Sequence, residues 1–322
     1  MGLTKDISRL KKLFEEGRID LLIGYEQATL PHQTMPCFIK SADNLEKLVL
    51  SPFMAVNLVH YLNEASGKPG LIIKRCDIPS VIGLIQEGML ARDKIVLIGV
   101  VCPGSLDWEK LFRKTGWKAE QTTSVRIDKD KVILECGGQS KQVALADVLM
   151  DKCLACDRPV PSEDMVDLLI GDPATAKRIP VTASPAAERI AELEKMSPAQ
   201  RWAFWKKELQ KCIRCYACKN SCPVCYCTRC TVEINNPRWV SPANDWQDNV
   251  VYQLMRLDHV AGRCTNCGEC TRACPVGIPL NLFTGRLFNT VVESFDFVPG
   301  QDPAAKPPTL CFRPDDREDF IK

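Results

Sequence analysis

The feature that most restricts this chain is a cysteine ribbon that occurs twice. Residues 212–223 read C-x2-C-x2-C-x3-C-P, through Cys212, Cys215, Cys218, Cys222 and Pro223, and the same run returns at Cys264, Cys267, Cys270, Cys274 and Pro275. Three thiolates at this spacing wrap three irons of one cubane from a single turn of chain. The fourth cysteine of each run crosses to the neighbouring cube, and proline stops the local turn from continuing. The pattern assigns Cys212, Cys215, Cys218 and Cys274 to one [4Fe-4S] cluster, and Cys264, Cys267, Cys270 and Cys222 to a second. Structural zinc competes with this reading, but its usual signature is two C-x2-C pairs, not two copies of the longer run. Two identical runs predict a two-cluster ferredoxin module.

A chain of 322 residues has room for more than one domain. Its 42 basic and 40 acidic side chains nearly cancel, so no basic footprint points to nucleic acid. No apolar run reaches bilayer-spanning length. The opening MGLTKDISRL lacks an h-region and a twin-arginine pair, and Asp6 stands where a myristoylation motif needs Ser or Thr. The expectation is a cytoplasmic protein without a membrane span. In that compartment eighteen cysteines read as metal ligands, not disulfides. Cubane clusters are oxygen-sensitive, which suggests an anaerobic or microaerobic host.

Ahead of the runs, the chain reads as α/β. A helix is expected over 4–16, with Thr4 as N-cap, an apolar face of Ile7, Leu10, Leu13 and Phe14, and Gly17 as terminator. Strands are expected at 19–24 and 36–40. Ser51-Pro52 reads as a helix start, followed by an apolar stripe of Met54, Leu58, Val59 and Leu62. Leu71–Lys74, a helix over 79–87 ended by Gly88, and Lys94–Val101 form a β-α-β unit with parallel strands. Cys76 and Cys102 then sit at one carboxyl rim of the sheet, where ligands collect in open α/β folds. Residues 124–127 and 131–136, with a turn at 128–130 and Gly137-Gly138, predict a small antiparallel meander. Cys153 and Cys156 form a further C-x2-C pair. Cys76, Cys102, Cys153 and Cys156 make a third cluster, or else Cys76 and Cys102 are small packed core residues.

Pro173–Pro198, rich in proline with a helical centre, reads as a linker. Ser197-Pro198 opens a helix leading to Cys212, whose Trp202, Phe204 and Trp205 are expected to pack on the shell of the clusters. Residues 244–261 predict a helix with an apolar face of Val250, Val251, Leu254 and Met255, and another helix follows Pro279. These favour an all-helical two-cluster ferredoxin, with His259 as a capping or surface residue. Lys211, Arg214, Lys219, Arg263 and Arg272 flank the ligands, either offsetting cluster charge or serving as ordinary solvated residues. Residues 296–322 read as an extended tail. Cys37, Cys136, Cys225, Cys227, Cys230 and Cys311 remain. The C-x-C-x2-C of Cys225, Cys227 and Cys230 suggests a fourth metal site, completed by Cys222, Cys311 or Cys37, or a displacement of the first ligand set.

The order I-K-R-Cys76-Asp77, I-G-V-V-Cys102-P-Gly104, Cys153-L-A-Cys156 and Asp167-L-L-I-Gly171-Asp172 resembles the beta-subunit family of coenzyme F420-reducing hydrogenases and formate dehydrogenases. The resemblance spans residues 15–175 or so. It implies that cysteines at those points bind one [4Fe-4S] cluster beside a flavin. The second half resembles the helical ferredoxins of heterodisulfide-reductase-type complexes. One departure stands out. Family members carry a Ser/Gly-rich turn that cradles flavin phosphates, whereas Leu50-Ser51-Pro52-Phe53-Met54 has no glycine.

The expected fold is therefore an α/β domain over 1–178 with a partly parallel sheet and a small antiparallel meander. A linker and lead-in helix over 179–210, a mostly α-helical dicluster ferredoxin over 211–292 and a tail over 293–322 follow. The expected function is that of an iron–sulfur electron-transfer subunit in a cytoplasmic hydrogenase, formate dehydrogenase or heterodisulfide-reductase-like complex. Its partners would be catalytic and electron-transfer subunits, one of which carries the catalytic site. The alternatives are an FAD-containing subunit that itself acts on F420 or a nicotinamide, and an iron–sulfur protein with a structural or regulatory role.

Overall fold

The computed structural model describes residues 2–176 and 184–311. Helix α1 (Gly2–Glu15) buries Leu10 and Leu13 and gives way to Gly17, whose φ of 63° suits glycine at a helix end. The helix begins two residues before Thr4, which therefore lies inside it and not at its cap. Strands β1 (Leu21–Gln27), β2 (Thr34–Ile39), β3 (Pro69–Ile73) and β4 (Val96–Val100) follow, with helix α2 (Ile78–Gln86) between β3 and β4. All five residues of β3 are buried, as parallel strands covered on both faces require.

The sheet order is β2-β1-β3-β4-β8, where β8 is the short strand Leu168–Ile170. Pairings β1–β3, β3–β4 and β4–β8 are parallel, and β2 joins antiparallel at the edge. The sequence reading did not include β8. Asp6 accepts from the Gly171 amide at 3.0 Å and Arg9 donates to the Leu169 carbonyl at 2.6 Å, so α1 clasps that edge.

No helix starts at Ser51-Pro52. The Ser51 hydroxyl does accept from the Phe53 amide at 3.2 Å, but this only closes a turn. The helical segment is a 3-10 stretch, Leu58–Glu64, capped by Asn57 accepting from the Val59 amide at 3.1 Å. Met54, Leu58, Val59 and Leu62 are all buried, so the apolar stripe marks core contacts and not an α-helical face.

Helix α3 (Trp108–Thr115) packs on a second, antiparallel sheet of β5 (Ser124–Asp128), β6 (Lys131–Cys136) and β7 (Gln139–Ala144), around Leu106, Leu111, Val132 and Leu134. The meander is as its turns predict. Cys136 ends β6, paired with Gln139 of β7. The one-turn helix α4 (Asp151–Leu154) then presents Lys152 and Cys153.

The rest of the chain is mostly helical. Helices α5 (Pro185–Lys195) and α6 (Pro198–Leu209) lead in, the latter with a reciprocal Ser197–Gln200 capping box. Then come α7 (Ala217–Asn220), α8 (Trp246–Val260), α9 (Glu269–Arg272) and α10 (Leu280–Phe295). Of the stretch read as a linker, 177–183 lies outside the described residues. Its helical centre is α5, which packs on α10 through Ile190, Leu193 and Leu282. Phe204 and Trp205 join that cluster, with Trp205 stacked on Phe283 at 4.6 Å, and Trp202 is half exposed beside Trp246. These aromatics staple helices together and do not line the cysteine sets, which corrects the expectation. The last part of the expected tail, 312–322, also lies outside the described residues. Among the described residues no helix is long and apolar enough to cross a membrane.

Candidate iron–sulfur centres

The two cysteine runs adopt the same backbone. The second residue after the first cysteine is left-handed in both, Arg214 at φ 51° and Asn266 at 54°, and so is the fourth, Tyr216 at 61° and Gly268 at 75°. Each run then closes in a one-turn helix, α7 or α9. Left-handed residues between right-handed ones coil the chain tightly and turn successive amides inward. The Arg214 amide donates to Cys212 Sγ at 3.4 Å, and the Ile278 amide to Cys274 Sγ at 3.4 Å.

Across the runs, the chain places Cys222 against Cys267, Cys264 and Cys270, and Cys274 against Cys212. Cys212, Cys215, Cys218 and Cys274 ring one small hollow. The crossed arrangement proposed from spacing is thus a spatial neighbourhood. Burial, reinforced by these neighbours, pushes Cys222 well above the usual thiol range, Cys267 up to about 12 and Cys264 up to about 11. Clustered thiols that burial holds protonated, with amide donors beside them, suit iron, which stabilises the thiolates that burial disfavours.

The third set also assembles. Cys76 follows β3, Cys102 follows β4, and Cys153 and Cys156 come from α4 and its exit. All four line one hollow together with Lys74, Gly104 and Lys152. The Ser105 amide donates to Cys153 Sγ at 3.3 Å. Burial pushes Cys76 well up and Cys102 to about 11. Beneath them lies a buried charge network: Lys74 Nζ is 2.9 Å from Asp77, 2.6 Å from the Tyr25 hydroxyl and 2.8 Å from the Val56 carbonyl. Lys152 reaches Asp77 at 3.9 Å and donates to the Cys267 carbonyl at 3.3 Å, linking the third set to the second. Helix α2 braces the same boundary through Glu87–Arg263 at 3.1 Å and Ser80–Thr265 at 3.2 Å.

Helix α8 supplies the lining that sequence reasoning missed. Val251 and Leu254, assigned to its inner face, are exposed; the buried face is Asn249, Tyr252, Gln253, Arg256, Leu257 and Val260. Asn249 donates to the Cys212 carbonyl at 2.8 Å and accepts from Arg214 at 3.1 Å. The Tyr252 hydroxyl is 3.4 Å from Cys218 Sγ. Arg256 is buried among Cys270, Cys218 and Cys222, which hold it firmly charged against the penalty of burial. The recurrence of Asn249, Gln253, Arg256 and Val260 at helical spacing was a signal available beforehand.

The cations singled out by sequence are otherwise engaged. Lys211 pairs with Glu208 at 2.8 Å, Lys219 with Glu233 at 2.8 Å, and Arg272 with Glu269. Arg214 clamps the carbonyls of Ser241 and Ala243. Cys37 is buried in the sheet beside Gly24, with its thiol pushed up to about 11 by burial. Neither it nor Cys222 lies with Cys225, Cys227 and Cys230, which share a hollow of their own. Among the described residues, no three His, Cys, Asp or Glu side chains converge closely enough to hold a single metal ion. A cleft of about 670 Å³ opens between the two parts, walled by Phe53, Trp108 and Lys152 on one side and Cys267, Gly268 and Arg272 on the other.

A family model described as a 4Fe-4S dicluster domain matches residues 208–278. The chain is similar to the F420-dependent formate dehydrogenase subunit beta of Methanocaldococcus jannaschii, at 22% identity over 354 residues that cover 92% of this chain and 91% of the relative. It is also similar to the F420-dependent formate dehydrogenase 1 subunit beta of Methanococcus maripaludis, at 22% identity over 92% of this chain and 90% of that one. Among solved structures it is similar to a chain of the F420-reducing [NiFe] hydrogenase complex from Methanosarcina barkeri, with 16% identity and a TM-score of 0.41, covering 64% of this chain and 84% of that chain. The resemblance read from the cysteine motifs is therefore shared along most of the chain with the two curated beta subunits.

Proposed function

We propose that the chain is an electron-transfer subunit of a cytoplasmic, multi-subunit oxidoreductase of the formate dehydrogenase or F420 hydrogenase kind, whose catalytic site is in a partner subunit. The dicluster match and the beta-subunit relatives support the class. Three [4Fe-4S] clusters held by the Cys76, Cys264 and Cys212 sets would supply one-electron storage at successive points. The observation that carries this reading is the continuity of the three sets. Lys152 touches the Cys76 set on one side and the Cys267 loop on the other, Arg256 lies among thiols of both ferredoxin sets, and Cys215 opens to the surface. Residues 1–178 and 211–292 would be the two functional domains, meeting at that lysine.

The side chains do the positioning and tuning. Amides of Arg214, Ser105 and Ile278 donate to ligand sulfurs, which raises potential, as do the partly buried Lys152 and the buried Arg256. Protein purified without oxygen should be reversibly reduced by dithionite and give the spectra of interacting cubanes. A zinc-loaded protein, or one that dithionite does not reduce, would contradict the relay and favour a structural or regulatory role.

A second reading, in which the subunit holds FAD and itself acts on F420 or a nicotinamide, draws support from the cleft, which is roomy and reaches the Cys267 loop. The expected phosphate cradle at 50–54 does not fit: it lacks glycine, and its serine hydroxyl is taken by the Phe53 amide. Flavin released by heat from the anaerobic protein in stoichiometric amount would favour this second reading.

A further inference from the structure

Cys225, Cys227 and Cys230 have no part in the three sets above, yet the fold gathers them. Tyr226, between the first two, is drawn to the opposite side. Its ring packs on the core of the α/β part, its hydroxyl donates to Glu87 at 2.7 Å, and Arg263 lies over its ring at 5.2 Å. Cys225 and Cys227, on either side of Tyr226, both line one hollow. Cys230 is brought in by Glu233, which accepts from the Cys230 amide at 3.3 Å and is held by Lys219 at 2.8 Å.

The three thiols edge a hollow of about 30 Å³, the same size as the hollow edged by the Cys76 set and close to the 20 Å³ one edged by the Cys212 set. Lys219 and Arg256 line the same hollow and set positive charge beside the three sulfurs. Tyr252 is a shared wall: it lines this hollow and the Cys212 hollow alike. Cys222, offered by the sequence as a fourth ligand here, lies with the Cys264 set instead. The hollow's own lining provides a different one, His259 of α8.

We propose that Cys225, Cys227, Cys230 and His259 hold a fourth [4Fe-4S] cluster, placed beside the line formed by the other three. Three thiols that ring a hollow instead of closing on a point suit a polynuclear centre, since each ligand of a cubane binds a different iron. The imidazole, less electron-donating than thiolate, sets this centre at a higher potential than its all-cysteine neighbours, as histidine ligation does in other iron–sulfur centres. It would then act as an electron-holding side branch, one tyrosine away from the outermost cube. The proposal rests on the relay reading only in taking the protein to be iron-loaded.

The test is iron, sulfide and zinc content of the anaerobically purified full chain, with electron paramagnetic resonance, for wild type and for the Cys227→Ser/Cys230→Ser variant. About sixteen irons per chain falling to about twelve, with the other signals retained, is expected from four irons per cube. His259→Cys should keep the iron but shift one signal to lower potential. Should the variant misfold, anomalous scattering at the iron edge from crystals of unaltered protein reads the site directly. Iron at the three other sets with none at this hollow, or zinc lost from the variant instead of iron, overturns this proposal alone. A protein without iron anywhere overturns the relay reading as well.

Discussion

The two cysteine runs share spacing, left-handed turns and closing helices, yet they sit in different surroundings. The Cys264 run is pressed against the α/β part by Lys152, Ser80 and Glu87, and burial pushes Cys264, Cys267, Cys270 and Cys222 upward. The Cys212 run faces outward: Cys215 is exposed and Ile213 is 54% exposed. In the proposed relay the same cradle would be an inner station in one case and an outer terminal in the other. Local spacing determines how a cube is gripped, and the neighbours determine where in a relay it stands. A difference of residue at a shared left-handed turn follows this rule. Four residues after its first cysteine the inner run has Gly268, which takes a positive φ without strain. The outer run has Tyr216 there, whose ring meets Tyr252 edge-on at 5.3 Å and covers its cluster hollow.

The largest expected effect comes from cutting the cross-links one at a time. Cys222→Ala should remove the inner cube and Cys274→Ala the outer, each losing about four irons with a distinct set of spectral signals. If both variants lose the same signals, the runs are not crossed. Next in size is Asp77→Asn, which strands Lys74 and Lys152 without their buried carboxylate. Removing one partner of a buried pair costs about 3–5 kcal/mol, so thermal unfolding should show the α/β part weakened before the helical part. Lys152→Met should lower the potentials of the Cys76 and Cys264 sets while leaving the Cys212 set in place. An equal shift in all three would erase the inner–outer distinction. The smallest effect is Gly268→Ala. No atom lies within 4 Å of the added Cβ, so only the φ of 75° is penalised, at about 1 kcal/mol, and chemical denaturation should register it.

What could be read beforehand was whatever local spacing dictates. The paired runs, the β-α-β unit and the Gly137-Gly138 meander each carry their own signal in spacing along the chain, and the structure has the parallel β3–β4 pair and the meander accordingly. What escaped depends on distant partners. Strand β8 has three residues and gains its identity only by docking beside β4. Ser51-Pro52 has good helix-start chemistry, but the segment after it spends its apolar side chains on the core, and Asn57 starts the helical turn instead. The inner face of α8 was misread for a related reason. Hydrophobicity was taken as the sign of burial, whereas a helix that lies against thiols and carbonyls turns its amides, phenol and guanidinium inward. Lys152 is an ordinary lysine in sequence and becomes a junction only when α4 meets the Cys267 loop.

That inverted face of α8 has a consequence for how the protein is made. Its concealed side mixes the apolar Leu257 and Val260, and Tyr252, which packs in an apolar cluster, with Asn249, Gln253 and Arg256, which face thiols and carbonyls, so part of its docking depends on what those thiols hold. On the proposed ligand sets, chain prepared without iron should show α8 cut by limited proteolysis sooner than the sheet beside it, and equal cutting of the two would show that α8 docks without metal. A chain without its metal would then differ in shape from a loaded one.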